Sequence, residues 1–244
     1  MFHSRFYPED YLYLYSSIEL IMAVPELIDL THTINSDISV YPGSDHPVLK
    51  NTASLQQKGY REKELLLSTH HGTHIDCPFH LLSEGLHTGN APLTLFYGKG
   101  FVMDCRAFAP DEKITAGTLR SLEPEFSGTD FLLFLTGMDR YWKSPDYEGK
   151  YPVLGHEAAE YLTRFHLKGI GIDALSIDPV EDTELAVHKI FLSRNILIIE
   201  NLTGLEKLLN KEFLFCCFPL KIEEGDGSPV RACAITLTTL LSGN

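Results

Sequence analysis

Short runs of apolar and β-branched residues recur along the chain at Leu27–Leu30, Glu64–Ser68, Gly100–Cys105, Asp130–Leu135, Gly169–Asp173, Ile196–Glu200, Phe213–Phe218 and Arg231–Thr238. Their length and patterning predict strands. Between them, apolar spacings of three and four predict helices over Thr115–Leu122, His156–Phe165, Thr183–Arg194 and Leu205–Leu209, with Thr183 placed to cap the third and Glu184 in its first turn. The alternation predicts a single α/β domain built on a mixed sheet. Ile170–Asp173 and Ile196–Glu200 read as buried central strands that each end in a carboxylate, and such strand ends line ligand crevices in α/β sheets. The glycine pairs Gly98/Gly100 and Gly169/Gly171 read as strand-entry turns; neither has the third glycine of a dinucleotide fingerprint.

Composition narrows the function classes. The 244 residues carry 33 acidic and 20 basic side chains, a formal charge of −13 that repels nucleic acid and anionic lipid. Five cysteines without regular spacing and without a CxxC pair argue against a disulfide framework or a thiolate zinc knuckle and fit a reducing, cytoplasmic setting. No apolar run approaches the roughly 18 residues that span a bilayer, so a soluble protein is expected. Residues 1–24 are interrupted by Glu9, Asp10 and Glu19 and read as a non-secretory N-terminal extension to a domain over 25–244. Two readings of that extension stay open: translation starting at Met22, or an ordinary N-terminal helix.

The chemistry concentrates in Ser68–His80, which holds His70, His71, His74 and His80 of the chain's 11 histidines. Imidazole and carboxylate are the usual ligands of Zn²⁺, Mn²⁺ or Fe²⁺, so His70, His74 and Asp76 form a three-ligand set that leaves positions open for water and substrate. Fully extended, at about 3.3 Å per residue, His70 and His74 would stand roughly 13 Å apart, so the chain must curl between them. Gly72 permits that turn, its missing side chain leaves room for an ion, and Pro78 discourages a helix through the segment. Spacing alone also admits a histidine-rich surface loop. His188 falls in register with Leu185 and Leu192 on an apolar helix face, where a lone histidine often is a satisfied core residue. Glu200 ends a very apolar strand, and an ionised carboxylate there is costly unless paired or metal-bound. Joined by the short 193–195 connection, His188 and Glu200 can converge on a second ion, with Asp76 bridging both. Tyr41 and Trp142 can wall a flat substrate, or simply pack. No Gly-x-Ser-x-Gly elbow occurs, which argues against a serine hydrolase.

The run His70-His-Gly-Thr-His-Ile-Asp-Cys-Pro-Phe-His80 resembles the His-x-Gly-Thr-His-x-Asp-x-Pro-x-His signature of the cyclase family of metal-dependent hydrolases, which includes bacterial kynurenine formamidases. Tyr41-Pro-Gly43, Leu135–Asp139, Gly169–Asp178, the His188 helix, Glu200-Asn-Leu202 and Gly225–Arg231 are similar too, so the likeness spans roughly 27–237. It implies a swivelling β/β/α-type domain, a homodimer or higher homo-oligomer, and one or two divalent ions, Zn²⁺ with Mn²⁺ as the alternative. By position it implies one ion on His70, His74 and Asp76, a second on Asp76, His188 and Glu200, and His80 as general acid/base, whereas sequence alone leaves His80 free to be a ligand instead. It implies hydrolysis of a small-molecule amide of the arylformamide kind, with a cyclic amide of the isatin kind or a non-catalytic metal-binding protein as rivals. Cys77 stands where family members often have alanine, and reads as packing, with a soft extra ligand or an oxidation-sensitive thiol as the other readings.

Overall fold

The computed structural model describes residues 23–239. The strands are β1 (Ala23–Asp29), β2 (Val48–Ala53), β3 (Glu62–Leu66), β4 (His74–Asp76), β5 (Tyr97–Asp104), β6 (Lys113–Ile114), β7 (Phe131–Leu135), β8 (Val153–Leu154), β9 (Gly169–Ile172), β10 (Leu197–Glu200), β11 (Phe213–Cys216), β12 (Gly227–Pro229) and β13 (Cys233–Thr239). The helices are α1 (Leu55–Lys58), α2 (Ala116–Phe126), α3 (His156–Leu162) and α4 (Ala186–Leu192). The extension expected over 1–24 lies, except for 23 and 24, outside the described residues.

Nine strands form one mixed sheet in the order β1-β13-β11-β5-β7-β9-β10-β4-β12. Its centre, β5-β7-β9-β10, is parallel, and both flanks are antiparallel. Three of these strands, β7, β9 and β10, are buried on both faces, as parallel strands usually are, whereas β5 starts with alternating exposed and buried positions. Phe131–Leu135 shows this directly: all five side chains are buried. Leu132 and Phe134 join a core packed under α2, α3 and α4, while Phe131, Leu133 and Leu135 face a second core enclosed by the curl of the sheet. Each such side chain contributes about 2 kcal/mol of transfer free energy. All eight apolar runs overlap strands. Gly169 opens β9 as expected, whereas Gly98, Gly100 and Gly171 lie inside β5 and β9.

Helix α2 begins as expected, with Thr115 Oγ1 accepting from Thr118 N at 3.2 Å. Leu205–Leu208 is a single 3₁₀ turn. Helix α4 starts three residues after Thr183, behind Leu185 in the left-handed region at φ 51°. Its first-turn amides are satisfied from the preceding loop: Asp178 accepts from Val187 N at 2.8 Å and His188 N at 3.0 Å. This is the carboxylate-at-N-terminus arrangement that the helix dipole favours. Strands β2 and β3 pair with each other in a separate exposed ribbon.

Candidate metal centre

Strand β4 carries the centre. It has only three residues, too few for a pattern of its own, and is fixed by neighbours on both sides. His74 pairs with Glu200 of β10, and Asp76 with Ile198 of β10 and Gly227 of β12. Alternation puts His74 and Asp76 on one face, and antiparallel register puts Glu200 on that same face. Ile198 belongs to the core under the helices, so this face looks toward α4, which delivers His188. Before β4 the chain curls as required: Gly72 adopts φ +68°. The space beside Gly72 belongs to Ile34 Cγ1, 3.3 Å from where a Cβ would stand, so the glycine serves the turn and does not make room for an ion. The close approach that does serve the centre is at Gly227, where a Cβ would stand 2.9 Å from His70 Cε1 and 2.7 Å from Ile75 O.

The donor atoms sit at telling separations. His188 Nε2 is 3.4 Å from both Asp76 Oδ2 and Glu200 Oε1, and His74 Nε2 is 3.4 Å from Asp76 Oδ1 and 3.6 Å from Glu200 Oε2. These are long for hydrogen bonds. They match two ligands of one tetrahedral ion, which at ~2.1 Å from the metal stand ~3.4 Å from each other. His70 Nδ1 meets Asp76 Oδ1 at 2.7 Å. Three overlapping groups able to hold a divalent ion result among the described residues, His70/His74/Asp76, Asp76/His188/Glu200 and His70/His80/Asp226, with Asp76 common to the first two.

The ligand candidates are held from behind. His74 Nδ1 donates to Gly72 O at 2.8 Å, and His188 Nδ1 donates to Asp178 Oδ2 at 2.6 Å, so each ring turns Nε2 toward the centre. Glu200 Oε1 accepts from Ile177 N at 2.7 Å. Asn201 Nδ2 donates to Gly72 O and its Oδ1 accepts from Tyr147, tying the Gly72 turn to the loop after β10. Asp76, Asp178 and Glu200 are at most 5% exposed. Three buried carboxylates thus gather around the His74 and His188 rings, a concentration of negative charge that protonated histidines or a divalent cation would offset.

Protonation follows from the same contacts. Burial opposes charging of His70, but the Asp76 and Asp226 carboxylates outweigh it and raise its pKa to about 10. Burial likewise opposes charge on His188, and its bonds to Asp178, Asp76 and Glu200 push it well above the usual histidine range. Asp76, though fully buried, is held well below the carboxylate range by His70 and His74. The Cys77 thiol is pushed up to about 12 by burial and by Asp76 and Asp226, so it stays protonated and packs.

His80 follows Pro78 in a 3₁₀ turn and lines the same cavity, about 450 Å³, as His70, His74, His188 and Glu200. Its Nδ1 lies 3.3 Å from Asp226 Oδ2, and the same oxygen accepts from His70 Nε2 at 2.8 Å. Sequence reasoning missed Asp226, which is 146 residues from His80; its only signal was its place in the Gly225–Arg231 segment. It missed Asp178 too. Tyr41 lines the cavity and its hydroxyl donates to Val180 O at 2.8 Å. Trp142 lies elsewhere: it stacks on His32 with centroids 4.1 Å apart and meets Tyr147 edge-on. Asp173 does not line the cavity either. It is buried, accepts from Thr136 N, Thr136 Oγ1 and Gly137 N at 2.6–2.7 Å, and pins the loop after β7.

The family model described as "Putative cyclase" matches residues 28–179. The chain belongs to the cyclase family. Among curated relatives, a kynurenine formamidase of Bacillus cereus is 30% identical over 212 residues, covering 86% of this chain and 98% of the relative. Isatin hydrolase A from Labrenzia aggregata shares the fold at a TM-score of 0.81 and 22% identity, over 88% of this cyclase-family chain and 94% of the other. A predicted metal-dependent hydrolase from Bacillus stearothermophilus superposes at a TM-score of 0.69 with 25% identity, over 87% and 99% of the two chains.

Proposed function

We propose that this cyclase-family protein is a metal-dependent hydrolase of carbon–nitrogen amide bonds, with an arylformamide such as N-formylkynurenine as substrate. The observation that carries the reading is Asp76, a buried carboxylate shared by two histidine groups at ligand-to-ligand separations. His70, His74 and Asp76 would hold one ion and Asp76, His188 and Glu200 a second, Zn²⁺ by the nitrogen and oxygen donor set, with Mn²⁺ as the alternative. Such an ion supplies Lewis acidity, drawing the pKa of water down toward about 7 and stabilising negative charge on a carbonyl oxygen. His80 takes the proton of the attacking water and returns it to the leaving nitrogen. Asp226 engages its Nδ1, which leaves Nε2 as the free ring nitrogen for that exchange. Tyr41, anchored through its hydroxyl, gives the cavity an aromatic wall. Trp142 is given no part in substrate binding. Five cysteines, all free, fit a cytoplasmic setting, and a homo-oligomer remains the expectation from family resemblance.

The test compares turnover of N-formylkynurenine and isatin by protein stripped of metal and then reloaded. Metal-dependent hydrolysis of the formamide is expected, falling ~10²–10⁴-fold in His80→Ala at unchanged metal content. Preference for isatin would move the substrate to the cyclic amides, and loss of no activity in His80→Ala would remove the assigned acid/base.

A further inference from the structure

Strands β11 and β13 place Cys216 directly opposite Cys233. Directly opposed residues of an antiparallel pair have Cα atoms about 4.5–5.5 Å apart and side chains on one face, inside the ~4.4–6.8 Å range that a disulfide spans. Both thiols are free, Cys216 nearly covered and Cys233 partly exposed. We propose that Cys216 and Cys233 form an oxidisable dithiol, a modification site that a hydroperoxide converts to an intrachain cross-strand disulfide.

The remaining thiols are excluded by position. Cys217, adjacent to Cys216, is fully buried and its Sγ donates to Phe96 O at 3.6 Å. Cys105 is buried and donates to Met103 O, and Cys77 is buried beside Asp76. Burial raises Cys216 to about 11 and raises Cys233 as well, but contact with the Cys216 thiol offsets part of the rise at Cys233. The more exposed Cys233 is therefore the attacking group. Its thiolate forms a bond to one peroxide oxygen as the O–O bond breaks, and the released hydroxide takes the thiol proton to become water. Cys216 sulfur then attacks the sulfenic sulfur; the S–S bond forms, the S–O bond breaks, and hydroxide leaves with the Cys216 proton as a second water. Two thiols are oxidised and one peroxide is reduced. The 217–232 segment closed by this bond carries β12 and Asp226.

The test treats the reduced full chain with hydrogen peroxide in mildly alkaline buffer, then counts thiols after denaturation. The count should fall from five to three, and tryptic peptides 212–221 and 232–244 should appear joined with the loss of two hydrogens. Cys217→Ser should retain that joined pair and Cys216→Ser should lose it. A count that stays at five, a joined pair that survives Cys216→Ser, or a bond found only between two chains would overturn the proposal.

Discussion

Replacing Asp178 separates the scaffold of the centre from its ligands. The carboxylate is 1% exposed and accepts three hydrogen bonds, from Val187 N at 2.8 Å, His188 N at 3.0 Å and His188 Nδ1 at 2.6 Å. Asp178→Ala leaves two helix amides and an imidazole without their charged partner. A hydrogen bond to a charged group contributes about 1.5–3 kcal/mol, and relaxation and water entry recover part of the sum, so a loss of about 4 kcal/mol in urea unfolding is expected. Asp178→Asn keeps an acceptor for the amides but removes the charge that holds the ring, which elsewhere costs metal affinity about 10–100-fold. The effect should be confined to the Asp76/His188/Glu200 group, because His74 is held by a backbone carbonyl that the substitution does not touch. Competition against a chelating dye resolves the two affinities. Asp178→Asn binding both ions as tightly as the native chain would refute the argument that this carboxylate aims His188.

Three further outcomes are expected. Because His70 holds its proton up to about pH 10 in the metal-free protein, metal uptake near neutrality must displace a proton, and apparent affinity should rise with pH; calorimetry in buffers of different ionisation enthalpy should detect that release. The sign for stability is opposite: a histidine raised from 6.5 to about 10 stabilises the metal-free fold fully below about pH 6.5, and this contribution is lost as pH climbs to about 10, so the metal-free Tm should drift downward across that window. Gly227→Ala puts a methyl group 2.9 Å from His70 Cε1 and 2.7 Å from Ile75 O, which should destabilise the chain by about 1–3 kcal/mol in denaturant and weaken the His70/His74/Asp76 group more than the other.

The legible parts of the chain were those with local causes. Five buried residues in a row at Phe131–Leu135 can only be a central strand, and the apolar face around His188 marked a buried helix. Helix α4 was misplaced at its start because its first amides are held by Asp178, nine and ten residues before Val187 and His188 and outside the usual capping spacing, and not by Thr183. Strand β4 escaped notice as a strand because three residues carry no period; its conformation is imposed by β10 and β12. The candidates His70, His74 and Asp76 stood out as a cluster of donor side chains within seven residues, and Glu200 as a carboxylate closing an apolar strand, whereas His188 alone was also compatible with a core histidine. Asp226 was not, because only folding brings it between His70 and His80. An aromatic side chain carries no mark of which surface it will meet, and so Tyr41 and Trp142 looked alike until the fold placed one at the cavity and the other against His32.

The most direct measurement is the metal content and amide turnover of protein purified without added metal, set beside Asp76→Asn. The native chain should carry one or two divalent ions per subunit, and the variant, whose neutral amide is a far poorer ligand at the shared position, should lose metal and turnover together while retaining its fold by circular dichroism. Full metal content and undiminished turnover in Asp76→Asn would contradict a centre organised around that carboxylate.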